Sequence, residues 1–288
     1  MEISGKTGLL GLIGSPVGHS GSPAMYNYSF ELLDMDYKYL AFDIKLDKVE
    51  NAISAIKTFN MKGANVTMPC KSDVCDYMDE LSPAARIIGA CNTIVNDNGK
   101  LIGHITDGQG YVRNLKEKGV EVEGKKLTIM GAGGAATAIQ VQCALDGARE
   151  IAIFNKKDNF FERAQKTVED IKKEVPTCII KLYDLNDTEK LYDEIANSDI
   201  LTNATLVGMK PYENDTNILD TNVFRKDLVV TDVVYNPIKT KMILDAKDKG
   251  CKVIGGKGML LYQGVEAFKL FTGKDMPVKE VRAKYFAE

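Results

Sequence analysis

Residues 126–136 read Lys126-Leu127-Thr128-Ile129-Met130-Gly131-Ala132-Gly133-Gly134-Ala135-Ala136, and a run with helical spacing, Thr137–Leu145, follows at once. The first five residues are β-rich and fit for burial. Between strand and helix lies Gly131-x-Gly133-x-x-Ala136, the glycine fingerprint of a dinucleotide turn, in the context that gives it meaning. Gly131 permits the turn. Gly133 lets the backbone approach a pyrophosphate, and Ala136 lets helix and strand pack closely. The helix start then offers N–H groups and a positive dipole end to phosphates. An ordinary βα turn can carry the same glycines. A second strand, Glu150–Asn155, weighs for the nucleotide reading.

The end of that second strand bears on the cofactor. NAD sites place Asp or Glu there, on the ribose hydroxyls. Here the chain reads Asn155-Lys156-Lys157-Asp158. Asn155 is neutral, and Lys156 and Lys157 can face the 2′-phosphate of NADP. Asp158 can instead accept hydrogen bonds from the free ribose of NAD. A solvated charged turn accounts equally for at least one of the lysines. The expected cofactor is NAD or NADP.

Outward from this turn the chain alternates β-rich runs with amphipathic stretches. Expected strands are Gly8–Ile13, Tyr37–Phe42, Ala64–Thr67, Thr93–Asn96, Lys126–Met130, Glu150–Asn155, Thr177–Tyr183, Ile200–Asn203, Leu228–Asp232 and Lys252–Gly255. Helical patterns between them include Pro23–Leu33, Leu46–Thr58, Gly108–Lys118 and Ala135–Leu145. Such alternation predicts an α/β fold with mainly parallel sheets. A boundary falls near Asp107–Gly110, and Lys126 to Gly255 reads as one βαβ series. Met259–Ala287 holds two helical patterns and no strand, so it is free to pack back on the first domain.

Composition limits the function. The 288 residues suggest about two domains and are 44% apolar and 27% charged, ordinary for a globular protein. Thirty-seven basic residues against 40 acidic ones give a net charge of −3, no footprint for nucleic acid or an anionic membrane surface. No apolar run reaches the ~18 residues of a membrane span, and Leu9–Ile13 is too short for a signal peptide. Cysteines 70, 75, 91, 143, 178 and 251 form no Cys-x-x-Cys pair, which predicts free thiols in a reducing cytoplasm. His19 and His104, the two histidines, leave little room for a zinc site, haem or a Ser-His-Asp triad. No metal is expected, and an acid/base group would be Lys, Asp, Glu or Tyr.

Polar groups cluster at several strand ends. Gly14 to Pro23 carries Ser20 and Ser22, with Ser22 expected as a helix N-cap and Pro23 as the first helical residue. Two hydroxyls at a helix start suit a carboxylate, although a simple cap explains them alone. Thr67 and Lys71 lie just past a strand, where α/β enzymes keep their chemistry. An isolated Lys71 reads as a solvated lysine, and an isolated Asp107 as a helix cap.

Taken in order, these segments resemble the shikimate dehydrogenase family. The likeness rests on His19-Ser20-x-Ser22-Pro23, Asn65-Val66-Thr67-x-Pro69-x-Lys71, Ala90-x-Asn92-Thr93, Thr106-Asp107-x-x-Gly110 and Gly131-Ala132-Gly133-Gly134-Ala135. It continues through Asn203-Ala204-Thr205-x-x-Gly208-Met209, Asp232-x-x-Tyr235-x-Pro237-x-x-Thr240 and Gly258-Met259-Leu260-x-x-Gln263-Gly264. The turn Asn155-Lys156-Lys157-Asp158-x-Phe160-Phe161 is most similar to the quinate/shikimate dehydrogenase branch. One departure is Ile105, where the family carries asparagine before Thr106-Asp107.

The resemblance implies an α/β substrate domain, residues 1–106 and 257–288, and a Rossmann NAD(P) domain, residues 107–256, with the active site in the cleft between them. It implies reversible oxidation of shikimate to 3-dehydroshikimate, and of quinate to 3-dehydroquinate, within aromatic amino acid and chorismate biosynthesis. Ser20, Ser22 and Tyr235 would hold the ring carboxylate; Thr67, Asn92, Asp107 and Gln263 would hold ring hydroxyls. Lys71 and Asp107 would be catalytic. Gly131, Ala132, Gly133, Gly134, Ala135, Asn155, Lys156, Lys157, Asp158, Thr205, Val233 and Gly255 would line the cofactor. The partners are then small molecules, with no nucleic acid or membrane, and the chain a monomer or homodimer.

The residue chemistry agrees. Reducing a ketone needs a proton donor at the oxygen where negative charge develops, and with so few histidines a lysine is the natural donor. A substrate rich in hydroxyls needs neutral donors and acceptors, which Ser, Thr, Asn and Gln supply. A silent Rossmann protein that senses NAD(P)H is the alternative, and such a sensor has no use for a proton donor.

Overall fold

The computed structural model describes residues 2–287. The chain divides into two compact units, one running to Thr106 and resuming at Gln263, the other Asp107–Tyr262. Each holds a six-stranded sheet.

In the first unit the order is β1 (Gly8–Gly14), α1 (Ser22–Leu32), β2 (Tyr37–Asp43), α2 (Val49–Thr58), β3 (Gly63–Val66), β4 (Glu80–Leu81), α3 (Pro83–Ile88), β5 (Thr93–Asp97) and β6 (Lys100–His104). The sheet runs β2-β1-β3-β5-β6-β4. Its first three strands are parallel, but β5 lies antiparallel to both β3 and β6. The sequence reading names no strand at β4 or β6 and expects mainly parallel sheets. The local signal for the hairpin is Asn98-Gly99, whose positive φ values of 51° and 96° are what a two-residue hairpin turn needs. β4 has only two residues, too short for any alternation to register.

The second unit runs α4 (Asp107–Lys116), β7 (Lys126–Met130), α5 (Gly134–Leu145), β8 (Glu150–Asn155), α6 (Asn159–Glu174), β9 (Ile179–Asp184), α7 (Thr188–Ala196), β10 (Ile200–Asn203), β11 (Val229–Asp232), α8 (Lys241–Asp248) and β12 (Lys252–Ile254). Its sheet, β12-β11-β10-β7-β8-β9, is wholly parallel. The chain builds outward from β7 on one side, then returns to build outward from β10 on the other. This is the doubly wound order, with its switch point between β7 and β10. All five residues of β7 are buried, as a strand covered on both faces requires. Met130, Phe154, Leu201 and Val230 carry the core across the sheet to Leu191 and Ile195 of α7. α9 (Lys257–Thr272) and α10 (Val278–Tyr285) follow. The division between the units falls inside α9, whereas the sequence reading sets the return at 257.

In the first unit, α1 and α9 share one face of the sheet. Phe30 stacks on Phe268 at 5.5 Å, and Tyr26 stacks on Tyr39 at 4.4 Å. Gly63, at φ 153°, lets Phe271 close on that face, because a Cβ there would come within 2.8 Å of the ring.

An ion cluster closes one side of the second sheet. The Lys126 ammonium, 9% exposed, lies 2.6 Å from Glu194 and 3.4 Å from Glu150. Glu194 also accepts from Tyr183 at 3.1 Å and pairs with Lys190 at 3.1 Å. Burial alone would raise the Glu194 carboxyl, but hydrogen bonds from Lys126 and Lys190 outweigh it and hold the pKa down to about 2. A depressed carboxyl adds stability above its unfolded pKa, and that stability is lost as pH falls toward the folded value. Glu194→Gln should therefore cost about 3 kcal/mol at pH 7, the scale for breaking a buried pair. The gap to the wild type should narrow steadily between pH 4.5 and 2, read by urea unfolding across that range. A gap independent of pH would show that the cluster is not what depresses this carboxyl.

Candidate functional site

In the first unit, the chain leaves β1 and β3 at the same edge. The Thr67 N–H donates to the Ile13 carbonyl at 2.9 Å, and the Ser15 N–H donates to the Met68 carbonyl at 3.0 Å. Gly14, at φ 147°, permits this, since a Cβ would collide with the Thr67 methyl. The Lys71 carbonyl accepts the Cys91 N–H at 2.7 Å, and the Val66 N–H donates to the Asn92 carbonyl at 2.8 Å. Thr67, Lys71 and Asn92 are thereby gathered at one edge, with Thr67 and Lys71 half-buried. The Cys75 and Cys91 sulfurs behind Lys71 are 3.4 Å apart and remain thiols.

Asn92 is only 3% exposed. Its Oδ1 accepts the Thr106 N–H at 2.9 Å and the Thr93 hydroxyl at 3.0 Å, and its Nδ2 donates to Thr106 Oγ1 at 3.1 Å. It is thus a structural clamp as well as a candidate ligand. Ile105, next to Thr106 in the chain, is buried as an apolar residue.

The helix start differs from the expectation. Gly21 is the N-cap of α1, and Ser22 and Pro23 are its first two residues. Ser22 lies one residue inside the cap, and Ser20, two residues before it, accepts the Ser22 N–H on its Oγ at 3.2 Å. Gln263 is half-buried on α9, and the next residue's carbonyl accepts the Tyr26 hydroxyl at 3.0 Å.

In the second unit, Asp107 is the first residue of α4, where a carboxylate faces the positive end of the helix. Gly131 sits at φ 114°, and a Cβ there would meet the Ala204 carbonyl oxygen at 2.5 Å. Gly133 caps α5 and Gly134 begins it, with no side chain bonded at the cap and nothing within 4 Å of a Cβ at either glycine. By contrast α6, α7 and α8 are closed by Asp158, Asp187 and Thr240. Backbone donors with open space in front fit a pyrophosphate. Ala132 is buried and Ala135 exposed on the same turn.

The turn after β8 is more occupied than its sequence suggests. Asp158 Oδ1 accepts the Phe160 N–H at 2.9 Å as the cap of α6, and the Asn155 amide at 3.0 Å. Lys156 and Lys157 are exposed, the latter 3.9 Å from Asp184. Thr205 gives its hydroxyl to Asn203 Oδ1 at 2.7 Å, Val233 donates its N–H to the Asn203 carbonyl at 3.0 Å, and the Gly255 carbonyl accepts from Asn114 at 3.2 Å. Tyr235 is 50% exposed on the loop after β11.

Sequence reasoning assigned no role to Asp232, Asn203 or Thr240, although two motifs contain them. Asp232 is 2% exposed and accepts from Thr240 at 2.6 Å, the Val234 N–H at 2.9 Å and Asn203 at 3.0 Å. The spacing Asp232-x7-Thr240 is therefore a tether that closes the loop carrying Tyr235. Burial raises this carboxyl to about 6, against the three donors that lower it. Among the described residues, no group of three His, Cys, Asp or Glu could hold a metal ion.

A doubly wound sheet with an open glycine turn, together with an α/β unit that gathers lysine, hydroxyl and amide groups at its strand ends, defines a nicotinamide-dependent oxidoreductase. Residues 12–94 match the shikimate dehydrogenase substrate binding domain, and residues 256–284 the shikimate 5′-dehydrogenase C-terminal domain. The NADP(+) shikimate dehydrogenase of Listeria monocytogenes is 49% identical over 285 residues, 99% of this chain and 98% of that one. The chain belongs to the shikimate dehydrogenase family. A solved Listeria monocytogenes shikimate 5-dehydrogenase, in complex with shikimate and NAD, superposes with a TM-score of 0.95, at 49% identity and 98% coverage of both chains. Quinate dehydrogenase from Corynebacterium glutamicum, in complex with NAD, gives 0.85 at 30% identity, covering 97% of this chain and 99% of that one.

A raised carboxyl adds stability below its unfolded pKa, and that stability is lost as pH rises through the folded value. The Asp232 contribution should thus be complete below pH 3.8 and gone above about 6. Asp232→Asn, which keeps the shape, should flatten the fall in unfolding free energy between these limits, measured by denaturant titration at each pH. A slope identical to wild type would exclude Asp232 as the titrating group.

Proposed function

We propose that this chain catalyses the reversible NAD(P)-dependent oxidation of shikimate to 3-dehydroshikimate, and of quinate to 3-dehydroquinate. The observation that carries the reading is the gathering of Thr67, Lys71 and Asn92 at one strand end, inside the stretch that matches the family's substrate binding domain. In this reading residues 1–106 and 257–288 bind the substrate, and residues 107–256 bind the cofactor. Ser20, Ser22 and Tyr235 hold the carboxylate, and Thr67, Asn92, Asp107 and Gln263 hold ring hydroxyls. Lys71 and Asp107 are the catalytic residues. Gly131 to Ala135, Asn155 to Asp158, Thr205, Val233 and Gly255 hold NAD or NADP, which supplies or takes the hydride when bound. The Lys71 ammonium gives a proton to the carbonyl oxygen during reduction and recovers it during oxidation. We place the enzyme in the cytoplasm, where its six cysteines stay as thiols.

Absorbance at 340 nm with shikimate or quinate, each with NAD and NADP, tests the substrate and cofactor classes together. No turnover in any pairing overturns the reading. Lys71→Ala should lower kcat by roughly 10²-fold or more, the scale of a general acid/base, with a smaller change in KM. A kcat near that of the wild type removes Lys71 from the mechanism.

The turn after β8 sets a second test. A 2′-phosphate carries roughly −1.5 to −2 charges near neutral pH, by analogy with other phosphate monoesters. Lys156 and Lys157 attract it and Asp158 repels it, so both nucleotides should serve. Because Asp158 caps α6, the clean variant is Asp158→Asn, which removes the charge and keeps a capping oxygen. It should shift the kcat/KM ratio about fivefold toward NADP, and Lys156→Ala with Lys157→Ala a similar amount toward NAD, the scale of exposed charge pairs. Unchanged ratios in both would show that this turn does not read the 2′ position.

A further inference from the structure

The first sheet carries a buried polar chain that leads toward three of the residues given to substrate. Tyr39 of β2 is fully buried, and its ring stacks on that of Tyr26 from α1 at 4.4 Å and 24°. The Tyr39 hydroxyl donates to Asn65 Oδ1 at 2.8 Å. Asn65 stands opposite Thr93 in the β3–β5 pair and spends its amide on the Asn92 carbonyl at 3.2 Å and on Thr93 Oγ1 at 3.0 Å. Thr93 passes its own proton to Asn92 Oδ1 at 3.0 Å.

The direction of each bond follows from chemistry. The Asn92 main-chain carbonyl can only accept, so the Asn65 amide must face it and the Asn65 oxygen must face Tyr39. The Thr106 N–H can only donate, so Asn92 must turn Oδ1 toward it. The Asn92 carboxamide is thereby set from both sides.

Tyr26 serves a second branch. It lies four residues after Ser22, one turn along the same face of α1. Its hydroxyl donates to the Gly264 carbonyl at 3.0 Å, beside Gln263 on α9. That carbonyl lies inside a helix, so the bond is not needed to satisfy it. A phenylalanine at 26 or 39 could stack as well, so what the hydroxyls add is polar: the links toward Gln263 and Asn92, with Tyr39 also meeting Ser22 and Tyr26 meeting Asn65.

We propose that Tyr26 and Tyr39 are positioning residues for the substrate, two stacked phenols that hold Gln263 and Asn92 at fixed places relative to Ser22. This rests on the shikimate dehydrogenase reading of the same site and adds to it a buried layer that determines where the ring hydroxyls are met.

The test is steady-state kinetics with saturating NADP and varied shikimate on Tyr26→Phe, Tyr39→Phe and the double variant, each checked for folding by thermal melting. Each single variant should raise KM for shikimate about fivefold or more, with kcat within twofold and KM for NADP unchanged. The double variant should exceed either. Tyr285→Phe, which removes a hydroxyl bonded to the Ala24 carbonyl in the same unit, should leave all three constants alone. If Tyr39→Phe does not fold, Thr93→Val and Thr93→Ser probe the same relay: valine should raise KM and serine should restore it. Folded variants with a wild-type KM for shikimate overturn the proposal while the reading stands. Loss of kcat in proportion to loss of fold shows a structural role only, and overturns it too. A wild-type chain that turns over no shikimate overturns the reading and the proposal together.

Discussion

At the start of β5 a single carboxamide, Asn92, takes the Thr106 N–H and the Thr93 hydroxyl on its oxygen and returns a bond to the Thr106 hydroxyl. The edge of the first unit hangs on this group. A sheet leaves main-chain donors and acceptors unpaired where its strands stop, and a buried edge must supply partners for them. The second unit solves the problem the same way. Asn203, at the end of β10, donates to the Val207 carbonyl and to Asp232 and accepts the Thr205 N–H and hydroxyl. Asparagine suits both places because one short, flat group offers two donors and two lone pairs in fixed directions. The segments carrying Thr106 in one unit and Thr205 in the other are pinned by these two clamps.

The sequence revealed most where local chemistry alone decides structure. Lys126–Met130, Glu150–Asn155 and Ile200–Asn203 are strands with the expected bounds, because buried parallel strands are rich in Ile, Leu and other β-forming residues rather than alternating. The glycine turn was legible because Gly131 is required by backbone geometry, with φ 114° and the Ala204 carbonyl against it. The β5–β6 hairpin was also written in Asn98-Gly99, but a reading set on alternating strands and helices passed over it. Ser22 looked like a cap because residue type and a following proline favour one, while Gly21 holds that position one residue earlier. Asp158 was read for charge alone, since its bond to the Phe160 N–H depends on where α6 begins. Nothing local foretells that Tyr39, Asn65 and Thr93, far apart in the chain, meet on one face. That follows from the register that sets Tyr39 beside Leu10, Leu12 beside Asn65, and Asn65 beside Thr93.

Asp232 shows how such an edge accommodates a charge. Three donors each favour the ionised carboxylate by about 1.5–3 kcal/mol, yet burial still raises the carboxyl to about 6. Desolvation therefore wins narrowly, and the group changes charge close to neutral pH. The tether to Thr240 does not require either state. A threonine hydroxyl can donate to a carboxylate oxygen or, rotated, accept from a protonated one. It can do so while still accepting the Ile243 N–H at the start of α8. The loop between Val233 and Thr240 is thus held through the titration. Protonation of Asp232 shifts the stability of the unit, while the position of Tyr235 is set by the same bond in both forms.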